Sequence, residues 1–224
     1  MNHKIEYGPS YALGTVNLDA GEKIQAEAGA MVSMSPGIQM QTSVKGGLMS
    51  GLKRSVLGGE SFFINTFTAE QAGHVTIAPA LPGDIIALEL ADTTLMVQSG
   101  SFLAASPEVN VDTKWGGGKT FFSREGLFLL KCTGRGTLFV SSYGAIHLVT
   151  LADGEQYSVD TGHMVAFDET VTYEVGRAGG WKTTILGGEG LVCKLKGPGR
   201  FYLQTRSPDS FLSWLAPKLP GKRE

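Results

Sequence analysis

A pattern that occurs three times along the chain constrains its fold more than any other feature of the sequence. In each copy a glutamate precedes an apolar run, glycines follow, and a second apolar run comes after them. The middle copy covers residues 127–140. The glutamates Glu60, Glu125 and Glu189 are 65 and 64 residues apart, and the glycines Gly73, Gly136 and Gly199 are 63 and 63 residues apart. Because self-similarity at a fixed period is the signature of a repeat architecture, the sequence predicts three similar units, each with a Gly-turned hairpin.

Glycine usage and the apolar runs indicate the fold class. Glycine accounts for 31 of 224 residues, well above its usual share of ~7%, and it lies between short apolar runs as in a many-stranded β protein. Residues 127–130 and 138–140 are apolar on both faces, which predicts sheets covered on both sides. We therefore predict one all-β domain, a triplicated β-sandwich repeat over residues 1–207. Its units span about residues 10–90, 91–151 and 152–207, and residues 208–224 form a C-terminal tail.

A second triplicated feature is a glycine that interrupts each unit. Gly29, Gly100 and Gly162 each follow, two residues later, an acid or amide: Glu27, Gln98 and Asp160. Such a side chain accepts hydrogen bonds from turn N–H groups, and glycine readily adopts φ > 0. The pattern predicts structural corners at these three glycines, and Glu60, Glu125 and Glu189 are expected at equivalent structural places. The alternative is that the three acid or amide side chains bind a ligand.

Charge, cysteine and histidine usage bear on function. A net charge of −2 gives no field that would attract nucleic acid, so we expect none as a partner. Cys132 and Cys193 lie in apolar runs without a CxxC motif, which predicts buried, reduced thiols. The four histidines, at 3, 74, 147 and 163, form no HxH or HxxxH pair, so we expect no metal, no cofactor and no enzyme activity. Without an apolar signal core or a run of ~18 apolar residues, a cytoplasmic location is expected.

Two segments have no counterpart in the other repeats. Residues 45–54 add a Gly-rich insert to the first unit, with Leu48, Met49 and Leu52 as candidates for meeting a partner. No GxxxxGK[ST] motif accompanies it, so phosphate binding is not favoured. The tail contains the only predicted helix, which Ser207 or Asp209 would cap and Pro217 would end. Its apolar residues suit packing on the body of the chain or on a neighbouring subunit, although contact with a membrane surface stays an alternative.

Several short runs carry a resemblance to a known family. They are residues 58–63, 78–79, 82–84, 100–104, 197–199 and 202–206, which read GGESFF, AP, PGD, GSFLA, GPG and YLQTR. Together they resemble the AIM-twenty-four (altered inheritance of mitochondria) family over nearly the whole chain. The resemblance implies a triplicated β-sandwich similar to the trp RNA-binding attenuation protein fold, within the double-stranded β-helix class, with three units around a pseudo-threefold axis. Mitochondrial members of the family are associated with inner-membrane organisation, and the resemblance implies no catalytic residue.

These observations favour a non-catalytic oligomeric scaffold or interaction protein. A small-ligand-binding protein with a pocket between repeats is the alternative, and an enzyme or an RNA-binding protein is less favoured. Strands that are apolar on both faces leave edges that proteins normally pair or block, and closed symmetry is the usual solution. We therefore expect a homo-oligomer, with threefold symmetry favoured, which binds a protein partner through its assembled surface.

Overall fold

The computed structural model describes residues 1–44, 63–112, 128–177 and 191–220. Within these ranges the chain is mostly β-strand, with one short α-helix near the C-terminus, which confirms the predicted fold class at this level. The glutamates Glu60, Glu125 and Glu189 and the insert at residues 45–54 lie outside the described residues, so their predicted roles stay predictions.

The strands follow the short apolar runs of the sequence. The first part of the chain forms β1 (Asn2–Glu6), β2 (Leu13–Leu18), β3 (Lys23–Glu27), β4 (Met31–Met34), β5 (Ile38–Val44), β6 (Phe63–Ala69) and β7 (Gly73–Ile77). The middle part forms β8 (Ile85–Gln98), β9 (Phe102–Ala105), β10 (Val109–Asp112) and β11 (Leu129–Ser141). The last part forms β12 (Ile146–Leu151), β13 (Gln156–Asp160), β14 (Met164–Asp168), β15 (Thr172–Arg177), β16 (Leu191–Lys196) and β17 (Gly199–Gln204). Helix α1 (Pro208–Leu215) follows.

These strands form three antiparallel sheets. One has the order β1-β2-β7-β4, and a small one has the order β13-β16-β15. The largest has ten strands in the order β12-β17-β14-β8-β11-β9-β3-β6-β5, with β10 beside β11. Two pairings join distant parts of the chain in this sheet: β3 pairs with β9, and β8 pairs with β14. These two junctions hold the first, middle and last parts of the chain together.

The predicted Gly-turned hairpins are wrong. Strand β11 continues through Gly134 and Gly136, which have φ values of +124° and +127°, and its register against β8 shifts between Gly134 and Arg135. A β-bulge of this kind bends a strand without reversing it. In the first part of the chain, β6 pairs with β3 and β5, whereas β7 pairs with β2 and β4. The two apolar runs are therefore consecutive strands of different sheets, and β16 and β17 are arranged in the same way.

Among the described residues, the core consists of three clusters of buried apolar side chains, each built mainly from one part of the chain. Strand β11 contributes to all three, with Phe139 in the first, Leu130 and Leu138 in the second and Leu129 in the third. All of these side chains are buried. The prediction that the sheets are covered on both sides at this strand is therefore confirmed.

Helix α1 begins as the sequence predicts. The Ser207 hydroxyl accepts a hydrogen bond from the Ser210 N–H at 3.3 Å, and Pro208 lies in the first turn. The Phe211 ring packs on Tyr143 in an edge-to-face contact with a centroid distance of 5.9 Å, while Leu212 and Trp214 are exposed. The tail therefore packs on its own chain through Phe211 and presents other apolar side chains outward. Nowhere in the described residues is a helix both long enough and apolar enough to span a bilayer.

Candidate functional site

The turns that follow β3, β8 and β13 meet at one cavity of about 380 Å³, here called the corner pocket. Glu27 lines it from the first turn, Gln98 and Ser101 from the second, and Thr161 from the third. The loops after β7 and β11 and the start of helix α1 complete the walls. The structure thus brings together three places that the sequence marked only by their similar residues.

The backbone at these turns differs from one to the next. Gly29 has a φ of +93°, as predicted. The same prediction is wrong for Gly100 and Gly162, which lie in 3₁₀ turns, Ser99–Ser101 and Thr161–His163, and are not among the residues with positive φ. A 3₁₀ turn keeps φ in the right-handed region, so it does not require the conformation that only glycine tolerates well.

Close packing explains the glycine at one of these 3₁₀ turns. A Cβ added to Gly162 would lie 2.6 Å from the Ser207 Oγ, so the helix cap occupies the space that a side chain would need. The Gly162 N–H donates to the Asp160 carboxylate at 2.8 Å. This is the capping bond that the sequence pattern predicts. The Gln98 side chain makes no such bond to its turn.

Hydroxyl groups line the inner part of the corner pocket. Ser101 and Ser141 are buried, and none of the described residues hydrogen-bonds to either hydroxyl. Gln204 is already engaged, since its Oε1 accepts from the Tyr143 N–H at 2.9 Å and its Nε2 donates to the Gly162 carbonyl at 2.8 Å. The two serine hydroxyls are therefore the lining groups that a bound molecule or water would contact.

Electrostatics limits what fits in the corner pocket. Glu27 and Asp209 bring carboxylates to its wall, and the described lining residues include no lysine, arginine or histidine. The Asp209 carboxylate would repel an anion. The arrangement suits a small polar molecule that is uncharged or cationic.

Sequence reasoning found part of this site and missed the rest. The corner pattern singled out Glu27 and Gln98. It gave no reason to select Ser101, Ser141 or Asp209, because an isolated serine or aspartate carries no periodic signal. Their place in the pocket follows from the meeting of the three turns, which is a tertiary property.

A second cavity of about 420 Å³ lies between β8 and the end of β14 and contains four carboxylates. Each of them has a partner. Glu89 accepts from the Thr137 hydroxyl at 2.7 Å, and Asp92 pairs with Arg135. Asp168 accepts from the Arg200 Nε at 3.0 Å, and Glu169 pairs with the Lys131 Nζ at 2.6 Å. The groove is therefore satisfied internally and is a weaker candidate than the corner pocket.

The four histidines lie in separate surroundings. The His3 ring packs edge-on against Phe139 at 5.1 Å, and the His74 Nδ1 lies 2.9 Å from the Ser35 hydroxyl. The His163 Nδ1–H donates to the Gln204 carbonyl at 2.7 Å. His147, on strand β12, lies opposite Leu203 of β17. Across the described ranges, no group of three or more His, Cys, Asp or Glu side chains is placed to hold a metal ion.

Cys132 and Cys193 are both buried, and neither is in a disulfide, as the sequence predicts. Burial raises the pKa of the Cys193 thiol to about 12. This thiol is therefore protonated at neutral pH, and a protonated thiol is a poor nucleophile.

Comparison with known proteins places the chain among similar sequences and structures. The sequence model of the family described as Mitochondrial biogenesis AIM24 matches residues 3–206. An uncharacterised protein of Streptococcus pyogenes serotype M6 is 29% identical over 228 residues, which cover 98% of this chain and 92% of that protein. The X-ray crystal structure of a Streptococcus pyogenes protein superposes with a TM-score of 0.80 at 30% identity, covering 97% of this chain and 99% of that one.

Proposed function

We propose that this chain, which belongs to the mitochondrial biogenesis AIM24 family, is a non-catalytic scaffold or interaction protein that assembles with copies of itself. The observation that carries the proposal is the exposure of Val32 and Met34 on strand β4 and of Tyr157 on strand β13, whose counterparts on the corresponding strands are buried.

A pattern of four strand pairings that recurs along the chain supports three units. The first part has the pairings β2–β7, β3–β6, β4–β7 and β5–β6. The last part has β12–β17, β13–β16, β14–β17 and β15–β16. The middle part makes the same four pairings with longer strands. The two halves of β8 correspond to β2 and β3, the two halves of β11 correspond to β6 and β7, and these halves pair with each other. Strands β9 and β10, the counterparts of β4 and β5, both pair with β11. In this proposal the second and third units begin with β8 and β12, a few residues before the boundaries predicted from the sequence.

Strands β4, β9 and β14 hold corresponding places in this pattern but differ in burial. Val32 and Met34 on β4 are 58% and 41% exposed. The corresponding side chains are buried on β9, where they are Leu103 and Ala105, and on β14, where they are Val165 and Phe167.

Strand β13 shows the same difference from its counterparts β3 and the second half of β8. Tyr157 on β13 is 44% exposed, whereas Ile24 and Leu95 are buried at the corresponding places. The buried strands are covered because β3 pairs with β9 and β8 pairs with β14. Among the described strands, β4 and β13 have no neighbour on that side. Exposed edges with apolar side chains are normally paired or blocked in native proteins, so a further protein surface is the natural cover.

The non-catalytic part of the proposal is supported by the state of the reactive side chains. Three of the four histidines contact neighbouring groups of the fold, and the Cys193 thiol is held in its protonated form. The carboxylates of the groove between β8 and β14 are paired with cations or a hydroxyl. Groups engaged in this way serve structure, whereas a nucleophile with an adjacent base would serve catalysis.

Sedimentation of the intact chain at micromolar concentration tests the assembly. We expect a mass that is a multiple of the single chain, and threefold symmetry stays the favoured prediction for its size. Deleting residues 210–224 should lower this mass or the solubility more than it changes the β-sheet spectrum, if the exposed side chains of helix α1 participate. A single-chain mass for the intact protein at this concentration would contradict the proposal.

A second candidate function, binding of a small polar ligand, is favoured by the corner pocket. Its serine hydroxyls and the Asp209 carboxylate suit a molecule that is uncharged or cationic and carries hydrogen-bond donors. The pocket lies where the three proposed units meet, which is a common place for ligands in multi-unit folds.

Native mass measurement of the protein as isolated tests this second candidate. We expect a bound molecule of about a few hundred daltons, a size that suits a cavity of about 380 Å³. Ser101→Leu would fill the pocket and should remove this molecule, whereas Ser10→Leu, at an exposed turn, should retain it. Identical masses for the intact protein and Ser101→Leu, after allowance for the substitution, would contradict ligand binding.

A further inference from the structure

We infer that strand β4 of one copy pairs antiparallel with strand β13 of a second copy, with Met34 opposite Ser158 and Ser33 opposite Val159. The inference rests on the proposed self-assembly and adds the edges and the register that build it. It follows from two pairings inside the chain, here called the internal seams: β3 with β9, and β8 with β14.

The two internal seams have the same register. In the first, Ala26 lies opposite Ala104 and Gln25 opposite Ala105. In the second, Val97 lies opposite Ala166 and Met96 opposite Phe167. The first seam thus joins the strand before the Gly29 corner to the strand after the Gly100 corner. The second joins the strand before the Gly100 corner to the strand after the Gly162 corner.

Strand β4 is the counterpart of β9 and β14 residue by residue. Each of the three pairs with the final strand of its unit through a register shift in which one residue is skipped. The pairs on either side of the shift are Met31↔Ile77 and Ser33↔Thr76 on β4, Phe102↔Val140 and Ala104↔Phe139 on β9, and Met164↔Leu203 and Ala166↔Tyr202 on β14. Ser33 therefore corresponds to Ala104 and Ala166, and Met34 to Ala105 and Phe167.

Strand β13 is the counterpart of β3 and of the second half of β8. The last residue of each strand before its corner lies opposite the following apolar run, in the pairs Glu27↔Ile64, Gln98↔Leu129 and Asp160↔Val192. Counting back from these pairs, Val159 corresponds to Ala26 and Val97, and Ser158 corresponds to Gln25 and Met96.

The free edges of β4 and β13 therefore match the two strands of an internal seam, and together they would form a third seam. Strand β4 offers the position that β9 and β14 fill, and β13 offers the position that β3 and β8 fill. Within the described part of one chain, β4 pairs with β7 alone and β13 with β16 alone, so neither covers the other. A second copy supplies both missing halves, and it would bury Val32, Met34 and Tyr157 as the internal seams bury their counterparts.

The resulting contact is head to tail. Each copy uses β4 toward one neighbour and β13 toward another, so the interface is heterologous and gives a closed ring when the rotation between copies closes, and an open filament otherwise. Strand addition of this type takes its binding energy from main-chain hydrogen bonds along the edge and its specificity from alternate side chains.

Cysteine cross-linking between two different variants tests the register. Met34→Cys and Ser158→Cys are prepared as separate proteins, mixed and oxidised. Residues directly opposite in an antiparallel pair have Cα atoms about 4.5–5.5 Å apart, which is within the range that a disulfide spans. We expect a two-chain product only in the mixture, not from either variant alone and not from the unsubstituted chain, whose own cysteines are buried. Because each chain carries one new cysteine, pairing within a single chain cannot give this product.

Two results would overturn the inference. One is the absence of the cross-linked product from a mixture that sediments as an oligomer, in which case self-assembly stands and this seam is wrong. The other is a disulfide within single chains of the double variant Met34→Cys/Ser158→Cys, which would mean that the chain closes its own third seam. A mixture that sediments as single chains would overturn the inference together with the proposed function.

A charge substitution provides a test that needs no oxidation. Met34→Lys places a cation where the seam would bury it, and we expect the oligomeric mass to fall to that of a single chain. Met40→Lys is the matched control, because Met40 is 45% exposed on another edge strand, β5, outside the seam. It should leave the mass unchanged. An equal response from both variants, whether both dissociate or neither does, would contradict the seam.

Discussion

Strands β4 and β14 occupy corresponding places in the proposed three-unit arrangement but differ in what surrounds them. Both are short, both contain apolar residues, and both pair with the final strand of their part of the chain across a register shift. Phe167 on β14 lies opposite Met96 of β8 and is buried, whereas Met34 on β4 is exposed and has no described strand on that side. The neighbouring strand, and not the composition of the strand itself, therefore decides burial here.

Substitution of the two side chains by alanine should give the largest contrast. Phe167→Ala removes a buried aromatic ring and should lower the free energy of unfolding by about 3–5 kcal/mol. Met34→Ala at the corresponding exposed place should change the stability of the single chain by no more than about 0.5 kcal/mol. Denaturant unfolding at a concentration low enough to hold single chains measures both. Equal losses for the two variants would mean that β4 is already covered within one chain.

The contrast also marks how far the sequence predicts the fold. Alternating and continuous apolar runs predict the strands, and the spacing of glycines predicts their recurrence, because both are local or periodic signals. The pairing partners were not predictable in this way. The hairpin prediction failed at Gly134 and Gly136, since glycines with positive φ serve a bulge as readily as a turn.

The buried Cys193 thiol on β16, the strand that pairs with β13, gives a second contrast, and this one depends on pH. Cys193 lies opposite Val159 of β13, and burial raises its pKa from 9.0 to about 12. The folded state thus favours the neutral thiol. The stability that this provides is complete below the ordinary pKa near 9 and is lost as the pH rises toward 12.

Unfolding midpoints between pH 7 and pH 11 check this prediction. The intact chain should lose more stability above pH 9 than Cys193→Val, which has no thiol to ionise. At pH 8 the native thiolate fraction should be roughly a thousandfold below that of an ordinary cysteine, so alkylation of Cys193 should be correspondingly slow. Rapid alkylation of folded protein would show that β13 does not protect the thiol.

The three corner glycines provide a smaller contrast. Gly29 has positive φ, and no atom lies within 4 Å of an added Cβ, so the cost of alanine there is purely conformational. We expect Gly29→Ala to destabilise the fold by about 1 kcal/mol. At Gly100 an added Cβ meets only the flexible Gln98 side chain at 3.1 Å, and Gly100→Ala should cost less. Thermal unfolding of the two variants compares them, and a larger loss at Gly100 would contradict the assigned conformations.

The smallest effect is expected from the ion pair beside the second internal seam. The hydrogen bond from the Lys131 Nζ at 2.6 Å holds the pKa of Glu169 below its usual value. This contribution is present above the ordinary carboxyl pKa and is lost as the pH falls through the lowered folded pKa. Because the Glu169 side chain is largely exposed, Glu169→Gln should cost only about 0.2–1 kcal/mol at neutral pH.

Stability curves of Glu169→Gln and the intact chain at pH 7 and pH 3 check this ion pair. The difference between the two proteins should shrink at the lower pH. A difference that grows on acidification would mean that Glu169 stabilises the seam in its neutral form.

The candidate site was predictable from the sequence only at the residues that belong to the recurring corner pattern. Glu27, Gln98 and Asp160 stand out because each precedes a glycine by two residues. Ser101, Ser141 and Asp209 line the same pocket but have no such signature. The free edges were equally hidden, because Val32 and Met34 read as ordinary strand residues until the partner strands of their counterparts are known.

Amide hydrogen exchange measured at several protein concentrations tests whether a second copy covers β4 and β13, because it compares covered and free strands in the unaltered chain. We expect the outward amides of β4 and β13 to exchange rapidly in dilute protein and at least tenfold more slowly when copies associate, while amides of β9 and β14 exchange slowly throughout. Exchange from β4 and β13 that is equally fast at all concentrations, in a sample whose mass increases with concentration, would contradict this expectation.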